Sequence, residues 1–246
     1  MKIINFFTPT AHGEDILADT IESIQKQTYP SKQTIMTDNE EAKQNVIKMI
    51  ASLKPKRTLH YHLQENVTEE FHRPEPLLSG FVHLVKYDYY QLLGTGDWIN
   101  PEHSQSVMDT FEKTNADWVF CLRNIWRPNK TFLCKDIFEN LGFHPMYTNP
   151  NYYFVDGQCF ILPKSRVLEM SSLWHLTRVK KVRTDKALFD NLSRLFPNFK
   201  CTNQYTLNFR LGRGTKEQLD YAEQWYLNGV KAMEARYPDG NYPWIK

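Results

Sequence analysis

The first hundred residues alternate short apolar runs with amphipathic stretches. The apolar run at 2–7 predicts a buried strand that Pro9 stops. Leu17, Ile21 and Ile24 follow at helical spacing and predict an amphipathic helix. Three further strands are predicted in this half, at 33–39, 58–63 and 87–93. Because helices separate these strands, the pattern predicts an α/β fold with a mostly parallel sheet and helices on both of its faces.

The second half of the chain is less regular. Strands are predicted at 116–123, 157–163 and 204–209, and helices at 104–114, 165–170, 184–196 and 215–237. No repeat, low-complexity segment or Gly/Ser-rich linker divides the sequence. We therefore predict a single domain over residues 1–246.

Polar residues follow several of the predicted strands. Thr8, Thr10 and Asp97 lie just past the ends of predicted strands, together with Pro9, and Asp38 lies at the C-terminal end of the strand at 33–39. In a parallel α/β sheet, ligands bind outside the carboxyl ends of the strands. The predicted fold therefore brings these residues to one rim of the sheet, where a ligand would bind.

Two glycines, Gly94 and Gly96, stand just before Asp97. They either let the main chain approach a ligand closely or simply make a turn. A dinucleotide-binding fingerprint is excluded, because the third glycine is missing and the motif follows the fourth strand rather than the first. A phosphate-binding G-x-x-x-x-G-K-[ST] loop is absent from the sequence, which argues against kinase or ATPase chemistry.

Composition narrows the class of protein. Hydrophobic residues make up 41% of the chain and charged residues 24%, which is ordinary for a globular protein with a core. The net charge of +2 is no general polyanion-binding signature, so a nucleic-acid site must be a local patch. The four cysteines form no C-x-x-C pair, and no apolar window approaches 18 residues. We therefore expect a protein without a membrane span in the reducing cytoplasm.

Four segments carry a resemblance to a known family. The segment 18–30 (ADTIESIQKQTYP) resembles the first helix and turn of inverting GT-A glycosyltransferases of family 2. In the same order, 35–39 resembles the strand that reads the nucleoside, 92–103 the metal loop, and 183–195 the helix that supplies the base. The resemblance covers roughly residues 2–211. It implies a GT-A-like fold, with a nucleotide-sugar-binding half over about 1–100 and an acceptor-binding half over about 101–246.

The resemblance implies a metal-dependent transfer from a nucleotide-diphosphate sugar, UDP-linked, to a hydroxyl group. Asp97 is the candidate ligand of Mn²⁺ or Mg²⁺, which would offset the charge on the leaving diphosphate. The sequence departs from the family here, because Gly94 or Thr95 stands where the family has its first acid. The other interpretation of Asp97 is a helix cap or a turn residue.

The donor would be held at the strand ends, with Asp38, Thr10 and Glu14 on the nucleoside. Asp38 could equally cap the next helix. Arg73 would approach the diphosphate, although a loop arginine is as often simply solvated. The implied donor-binding residues are Thr8, Pro9, Thr10, Glu14, Asp38, Arg73, Thr95, Gly96, Arg210 and Arg213.

An inverting transfer also needs a general base beside the acceptor hydroxyl. Asp185 matches the family's base position, and the start of a helix keeps a carboxylate ionised. The other interpretation is an ordinary acid in the first turn of a helix, which the helix dipole alone explains.

The acceptor side is predicted from a basic run and an aromatic segment. The candidate residues are Tyr153, Asp156, Gly157, Gln158, Arg178, Lys180, Lys181 and Arg183. The basic run is a solvated face, a contact to an anionic acceptor such as DNA, or part of a loop that clamps the donor phosphates. The tyrosines could equally pack in the core.

The C-terminal segment resembles small glycosyltransferases of large tailed phages, some of which modify DNA. This favours hydroxymethylated cytosine in phage DNA as the acceptor, reached by base flipping. The alternatives are a cell-surface saccharide or glycolipid acceptor, and a non-catalytic module that binds a nucleotide-sugar or nucleic acid. If a phage encodes the protein, the expected cytoplasm is that of the host. No obligate protein partner is evident from the sequence.

Overall fold

The computed structural model describes residues 2–10, 15–37, 39–56, 59–63, 87–142, 154–170, 184–212 and 214–244. Within them the strands are β1 (Ile4–Thr10), β2 (Ser31–Thr37), β3 (Leu59–Leu63), β4 (Tyr89–Leu92), β5 (Trp98–Ile99), β6 (Trp118–Trp126), β7 (Phe132–Lys135), β8 (Phe160–Pro163) and β9 (Phe199–Arg210). The helices are α1 (Leu17–Gln25), α2 (Glu40–Leu53), α3 (His103–Thr114), α4 (Thr184–Leu195) and α5 (Lys216–Arg236), with a 3-10 turn at Gly157–Cys159. A further helical segment covers 164–170, where the sequence predicts a helix over 165–170. None of these helices combines the length and apolarity that crossing a membrane requires.

The described strands form one mixed sheet in the order β3-β2-β1-β4-β8-β6-β9-β5, with β7 paired to β6. The strands β3, β2, β1 and β4 are parallel, as the alternating pattern predicts. Beyond β4 the directions mix: β8 is antiparallel to both of its neighbours, whereas β6 and β9 are parallel. The regular half of the sequence thus makes the regular half of the sheet.

Strand β1 runs through Pro9 to Thr10, so the prediction that Pro9 stops it is wrong. The main chain of Phe7 faces β4, because its carbonyl accepts the Leu93 N–H. Pro9, two residues on, faces the same way, but β4 has already ended there. Its missing N–H therefore leaves no ladder hydrogen bond unmade.

The predicted strand at 157–163 begins three residues late, because Gly157–Cys159 forms the 3-10 turn instead. Asp156 caps this turn: its Oδ1 accepts the Gln158 N–H at 2.9 Å. A short carboxylate that bonds the main chain two residues ahead favours a turn over a strand.

Apolar clusters in both halves of the chain hold the sheet and helices together. Leu17 and Ile21 of α1 are fully buried against Ile35 of β2, which confirms the predicted inner face of that helix. In the second half Trp118 is fully buried and stacks on Phe199, with the ring centroids 4.5 Å apart. The segment 74–86 (PEPLLSGFVHLVK) predicts a further helix, and it lies outside the described residues.

Candidate functional site

The carboxyl ends of β1, β2 and β4 lie side by side. Thr10 and Thr37, the last residues of β1 and β2, are paired in register. The loop that follows β4 lies against the end of β1, because the Thr95 hydroxyl donates to the Pro9 carbonyl. Thr8 is buried, and its hydroxyl accepts a hydrogen bond from Gln33 at 3.0 Å. The structure therefore brings the described rim residues together as predicted.

Asp97 ends this loop, with its side chain only 5% exposed. Its Oδ1 accepts the Arg210 main-chain N–H at 2.7 Å. Burial raises the pKa of Asp97 to about 7, although hydrogen bonds from Arg210 and from the Gln158 side chain lower it. The carboxylate therefore lies in an environment that disfavours its charge and that a nearby cation would relieve.

The structure favours glycine at each of the two positions before Asp97, for a different reason at each. A Cβ at Gly94 would lie 2.7 Å from Oδ2 of Asp97 and 2.9 Å from Oε1 of Gln158, so only a glycine leaves room for both side chains. Gly96 has φ +90°, a conformation that favours glycine. Its N–H donates to the Thr20 hydroxyl, which in turn donates to the Asp97 carbonyl at 2.7 Å. Both of these glycines thus hold the acid in place.

Gln158 links the end of β4 to the 3-10 turn. Its Oε1 accepts the Gly94 N–H at 2.6 Å, and its side chain also donates to Asp97. Its own main-chain carbonyl accepts the Gln91 side-chain amide at 2.8 Å. Since its N–H is held by Asp156, every polar group of Gln158 has a partner. Gln158 therefore positions Asp97 in this structure.

Asp185 lies in the first turn of α4, and its side chain contacts the same 3-10 turn. A Cβ at Gly157 would lie 2.8 Å from its Oδ1, so the carboxylate packs directly on the Gly157 main chain. Gly157 adjoins Gln158, which bonds Asp97. Two acids that are 88 positions apart in the sequence thus flank one short turn.

A buried ionic cluster anchors the turn through Asp156. Arg123 of β6 is 2% exposed and pairs with Asp136, Asp156 and Glu139. Burial alone would lower the pKa of Arg123, but the Tyr226 hydroxyl and these carboxylates raise it well above its usual value. The arginine therefore stays charged and holds Asp156 in the position that caps the turn.

A second, neutral network anchors the same turn. His103 lies between Gln91 and Thr206, with its Nε2 2.8 Å from the Gln91 Oε1 and its Nδ1 2.7 Å from the Thr206 Oγ1. Burial lowers the pKa of His103 to about 3, so the imidazole is neutral near neutral pH. Because Gln91 also donates to the carbonyl of Gln158, the network holds the turn at a second point, apart from the contact to Asp156.

Arg210 contacts the site through its main chain, while its side chain points elsewhere. Its guanidinium pairs with Asp19 at 2.6 Å and lies over the Trp98 ring. In this structure the charge of Arg210 is therefore paired with α1, and the contact to Asp97 is an amide N–H. Asp156, predicted to face the acceptor, instead pairs with Arg123 and caps the turn.

Other predicted site residues lie outside the described residues. They are Glu14, Asp38, Arg73, Tyr153, Arg178, Lys180, Lys181, Arg183 and Arg213. Their roles stay predictions. Asp38 directly follows Thr37, the last residue of β2 at the rim.

The carboxylate at this site is of the right chemical type for a divalent cation, since Mg²⁺ and Mn²⁺ prefer oxygen ligands such as carboxylates. The described residues supply a single carboxylate at the end of β4, Asp97. Among them no three acidic, His or Cys side chains group closely enough to hold a metal by themselves. Water and a diphosphate would have to complete the coordination.

Three residues that hold the site were not predicted from the sequence: Arg123, Glu139 and His103. A signal for Arg123 was present, because it is the only charge in the apolar run WVFCLRNIW at 118–126. A charge in a buried strand requires buried partners, but the sequence does not show which acids they are. His103 carries no comparable signal, since a histidine at a helix start is common.

Neither a family model nor a curated protein sequence matches this chain. Solved structures do: S. aureus TarS 1–349 in complex with UDP has a TM-score of 0.61 and 11% identity, over 86% of this chain and 61% of that one. The same TarS fragment in complex with UDP-GlcNAc has a TM-score of 0.60 and 11% identity, over 87% and 60%. The chain therefore spans about 60% of the length of these neighbours. TarS is a GT-A-like glycosyltransferase, and this similarity confirms the predicted α/β fold of GT-A type.

Proposed function

We propose that this chain is an inverting glycosyltransferase that moves a sugar from a UDP-linked donor to an acceptor hydroxyl. The observation that supports this most directly is that Asp97 and Asp185 both contact the turn at Gly157 and Gln158. A second support is the fold, which resembles that of a protein solved with UDP and with UDP-GlcNAc.

In this proposal the two acids have different roles. Asp185 takes the proton of the acceptor hydroxyl, whose oxygen attacks the anomeric carbon as the bond to the diphosphate oxygen breaks and its electron pair leaves with UDP. Asp97 would hold Mn²⁺ or Mg²⁺, which supplies Lewis-acid stabilisation of the leaving diphosphate when bound. The ends of β1 and β2, with Thr8, Pro9 and Thr10, would receive the nucleoside, and the loop at Thr95 and Gly96 would lie beside the diphosphate.

Donor hydrolysis tests the activity without knowledge of the acceptor. A thermal-shift screen of nucleotide-sugars, with and without Mn²⁺, first finds the donor, because a bound donor stabilises the native state. We then expect slow Mn²⁺-dependent release of UDP from that donor. If no nucleotide-sugar raises the melting temperature and none is hydrolysed, the proposal is wrong, and a module for another ligand is favoured.

The role of Asp185 is tested by Asp185→Asn. The change should lower transfer by at least about 100-fold, the usual contribution of a general base, while donor binding is retained. Asp190→Asn on the same helix is the matched control, because Asp190 is exposed and pairs only with Lys186 among the described contacts. Loss of donor binding together with activity in Asp185→Asn would contradict the role of base.

The acceptor rests on the sequence alone. We propose hydroxymethylated cytosine in DNA, because of the basic run that contains Arg178, Lys180, Lys181 and Arg183. A gel shift with a hydroxymethylcytosine duplex tests this, and charge reversal at Lys180 and Lys181 should weaken the shift in a salt-dependent way. If no shift is seen at low salt, the saccharide acceptor becomes the better proposal.

A further inference from the structure

We propose that a cleft behind the Asp97 loop is a second ligand site, separate from the donor site, and that it binds a neutral saccharide. The cleft has a volume of about 430 Å³ and lies between α1, the end of β5 and the β6–β7 hairpin. That volume falls in the range of small-molecule sites, about 300–1,000 Å³. Neither the proposed transfer nor any residue predicted to bind the acceptor accounts for it.

The floor of the cleft is aromatic. The rings of Trp98 and Trp126 lie 5.1 Å apart, centroid to centroid, and both line the cleft. The Trp126 indole N–H donates to Asn208 at 2.9 Å, which fixes that ring. A pre-ordered indole gives a large apolar contact at little entropic cost, and the C–H face of a sugar ring is the complementary apolar surface.

The walls of the cleft carry charges of both signs. Its charged lining residues are Asp19, Glu22, Lys26 and Lys130, two acids and two lysines whose formal charges cancel. Sugar hydroxyls donate to carboxylates and accept from ammonium groups, so they satisfy both kinds of wall. A polyanion would meet two acids and two lysines that are already paired with them, Lys130 with Asp19 and Lys26 with Glu22, and this disfavours nucleic acid or polyphosphate here.

Arg210 gives an independent indication of a missing partner. Its side chain is 8% exposed and contacts Asp19 and Trp98, both of which line the cleft. Its Nε is buried and has no hydrogen-bond partner among the described residues. A buried donor without a partner costs about 1–3 kcal/mol, so a ligand hydroxyl or a water that it orders would be favourable.

The cleft adjoins the proposed active site but is separate from it. Trp98 directly follows Asp97, and Arg210 binds Asp97 through its main chain while its side chain faces the cleft wall. Asp19 and Glu22 line the cleft and lie on α1. Thr20, on the same helix, holds the Asp97 loop. A saccharide in the cleft would therefore lie close behind the loop, as a further part of a glycan chain would.

The test is a printed array of neutral and acidic oligosaccharides, probed with the full chain in saturating UDP so that donor binding is excluded. The neutral glycan that binds best is then titrated by calorimetry. We expect at least one neutral glycan to bind, and affinity to fall at least tenfold in Trp126→Ala. Because that variant can destabilise β6, Glu22→Ala/Lys26→Ala is the second variant, since these side chains are 52% and 66% exposed and leave the net charge unchanged.

Glu40→Ala/Lys43→Ala is the matched control, an exposed ion pair on α2 that should keep wild-type glycan affinity. Binding of acidic glycans only, no glycan binding, or binding unaffected by both cleft variants would each overturn the proposal. Loss of glycan binding in Asp185→Asn but not in the cleft variants would place the glycan at the acceptor site and would also overturn it. Donor hydrolysis is read separately, so failure of the cleft and failure of the transferase remain distinguishable.

Discussion

Two buried polar networks hold the same 3-10 turn, and they do so by different physical means. The Arg123 cluster is ionic and reaches the turn through Asp156. The His103 network is neutral and reaches it through Gln91. A buried ion pair is costly to break, because removing one partner leaves an uncompensated buried charge. Removing one partner of a neutral hydrogen bond costs less, because it leaves a buried polar group that is unpaired but uncharged.

The difference teaches how the site is built. Gln158 bonds Asp97, and the Asp185 carboxylate packs on Gly157. The positions of both acids therefore depend on one turn of three residues. The ionic Arg123 cluster holds the turn strongly. The neutral His103 network, near the Asp97 loop, adds no charge to a region where Asp97 is already hard to ionise. The following changes test this comparison, from the largest expected effect to the smallest.

Removal of the ionic anchor should have the largest effect. In Arg123→Met the carboxylates of Asp136, Asp156 and Glu139 lose their cation, so the free energy of unfolding should fall by about 3–5 kcal/mol. Urea denaturation measures it. Arg127→Met is the control: its pair with Glu223 is partly exposed and should be worth about 1 kcal/mol or less. Equal losses in the two variants would mean that the buried cluster does not anchor the turn.

Asp97 should make the protein less stable as the pH rises. Its folded pKa of about 7 lies above its ordinary value, so its contribution is fully present below about pH 4 and is lost as the pH rises to about 7. Asp97→Asn does not titrate and should gain stability relative to the wild type by up to about 4 kcal/mol between pH 4 and pH 8. Thermal denaturation in a chelator measures this difference. A constant difference across that range would show that the acid is not desolvated.

Removal of the neutral anchor should cost less than removal of Arg123. In His103→Leu the Gln91 carbonyl oxygen and the Thr206 hydroxyl lose their partner, at about 1–3 kcal/mol. The pKa of His103 is lowered, so its contribution is present above about pH 6.5 and is lost as the pH falls toward 3. His103→Leu should therefore flatten the acid side of the stability curve. A cost equal to that of Arg123→Met would remove the distinction between the two anchors.

The smallest change affects the turn and not its anchors. A Cβ at Gly157 would push the Asp185 carboxylate away, so Gly157→Ala should slow transfer about tenfold or more, as small misplacements of catalytic groups do, with little loss of donor affinity. Gly212→Ala is the matched control, because a Cβ there meets nothing within 4 Å. Steady-state kinetics with the donor identified by thermal shift compares the two. Full activity in Gly157→Ala would show that Asp185 need not stay on the turn.

Much of the first half of the fold was predictable from local pattern. The burial of Leu17, Ile21 and Ile24 and the parallel order of the first strands follow from periodicity, which neighbouring residues encode. The second half was predicted less well: β5 and β7 were missed, and the start of β8 was taken three residues early. Short strands in a mixed sheet form because partners from distant segments lie beside them, and periodicity carries no trace of those partners.

The sequence by itself determined the strand-and-helix alternation, the polar residues at the strand ends, and the candidate acids Asp97 and Asp185. Only the tertiary structure decided what those acids contact. Asp97 bonds Arg210, 113 residues away, and Gly94 bonds Gln158, 64 residues away. Burial of Asp97, the partners of Arg123 and the place of Asp185 on Gly157 all arise where distant segments pack together, because desolvation and buried hydrogen bonding are properties of that packing and not of any local stretch of chain.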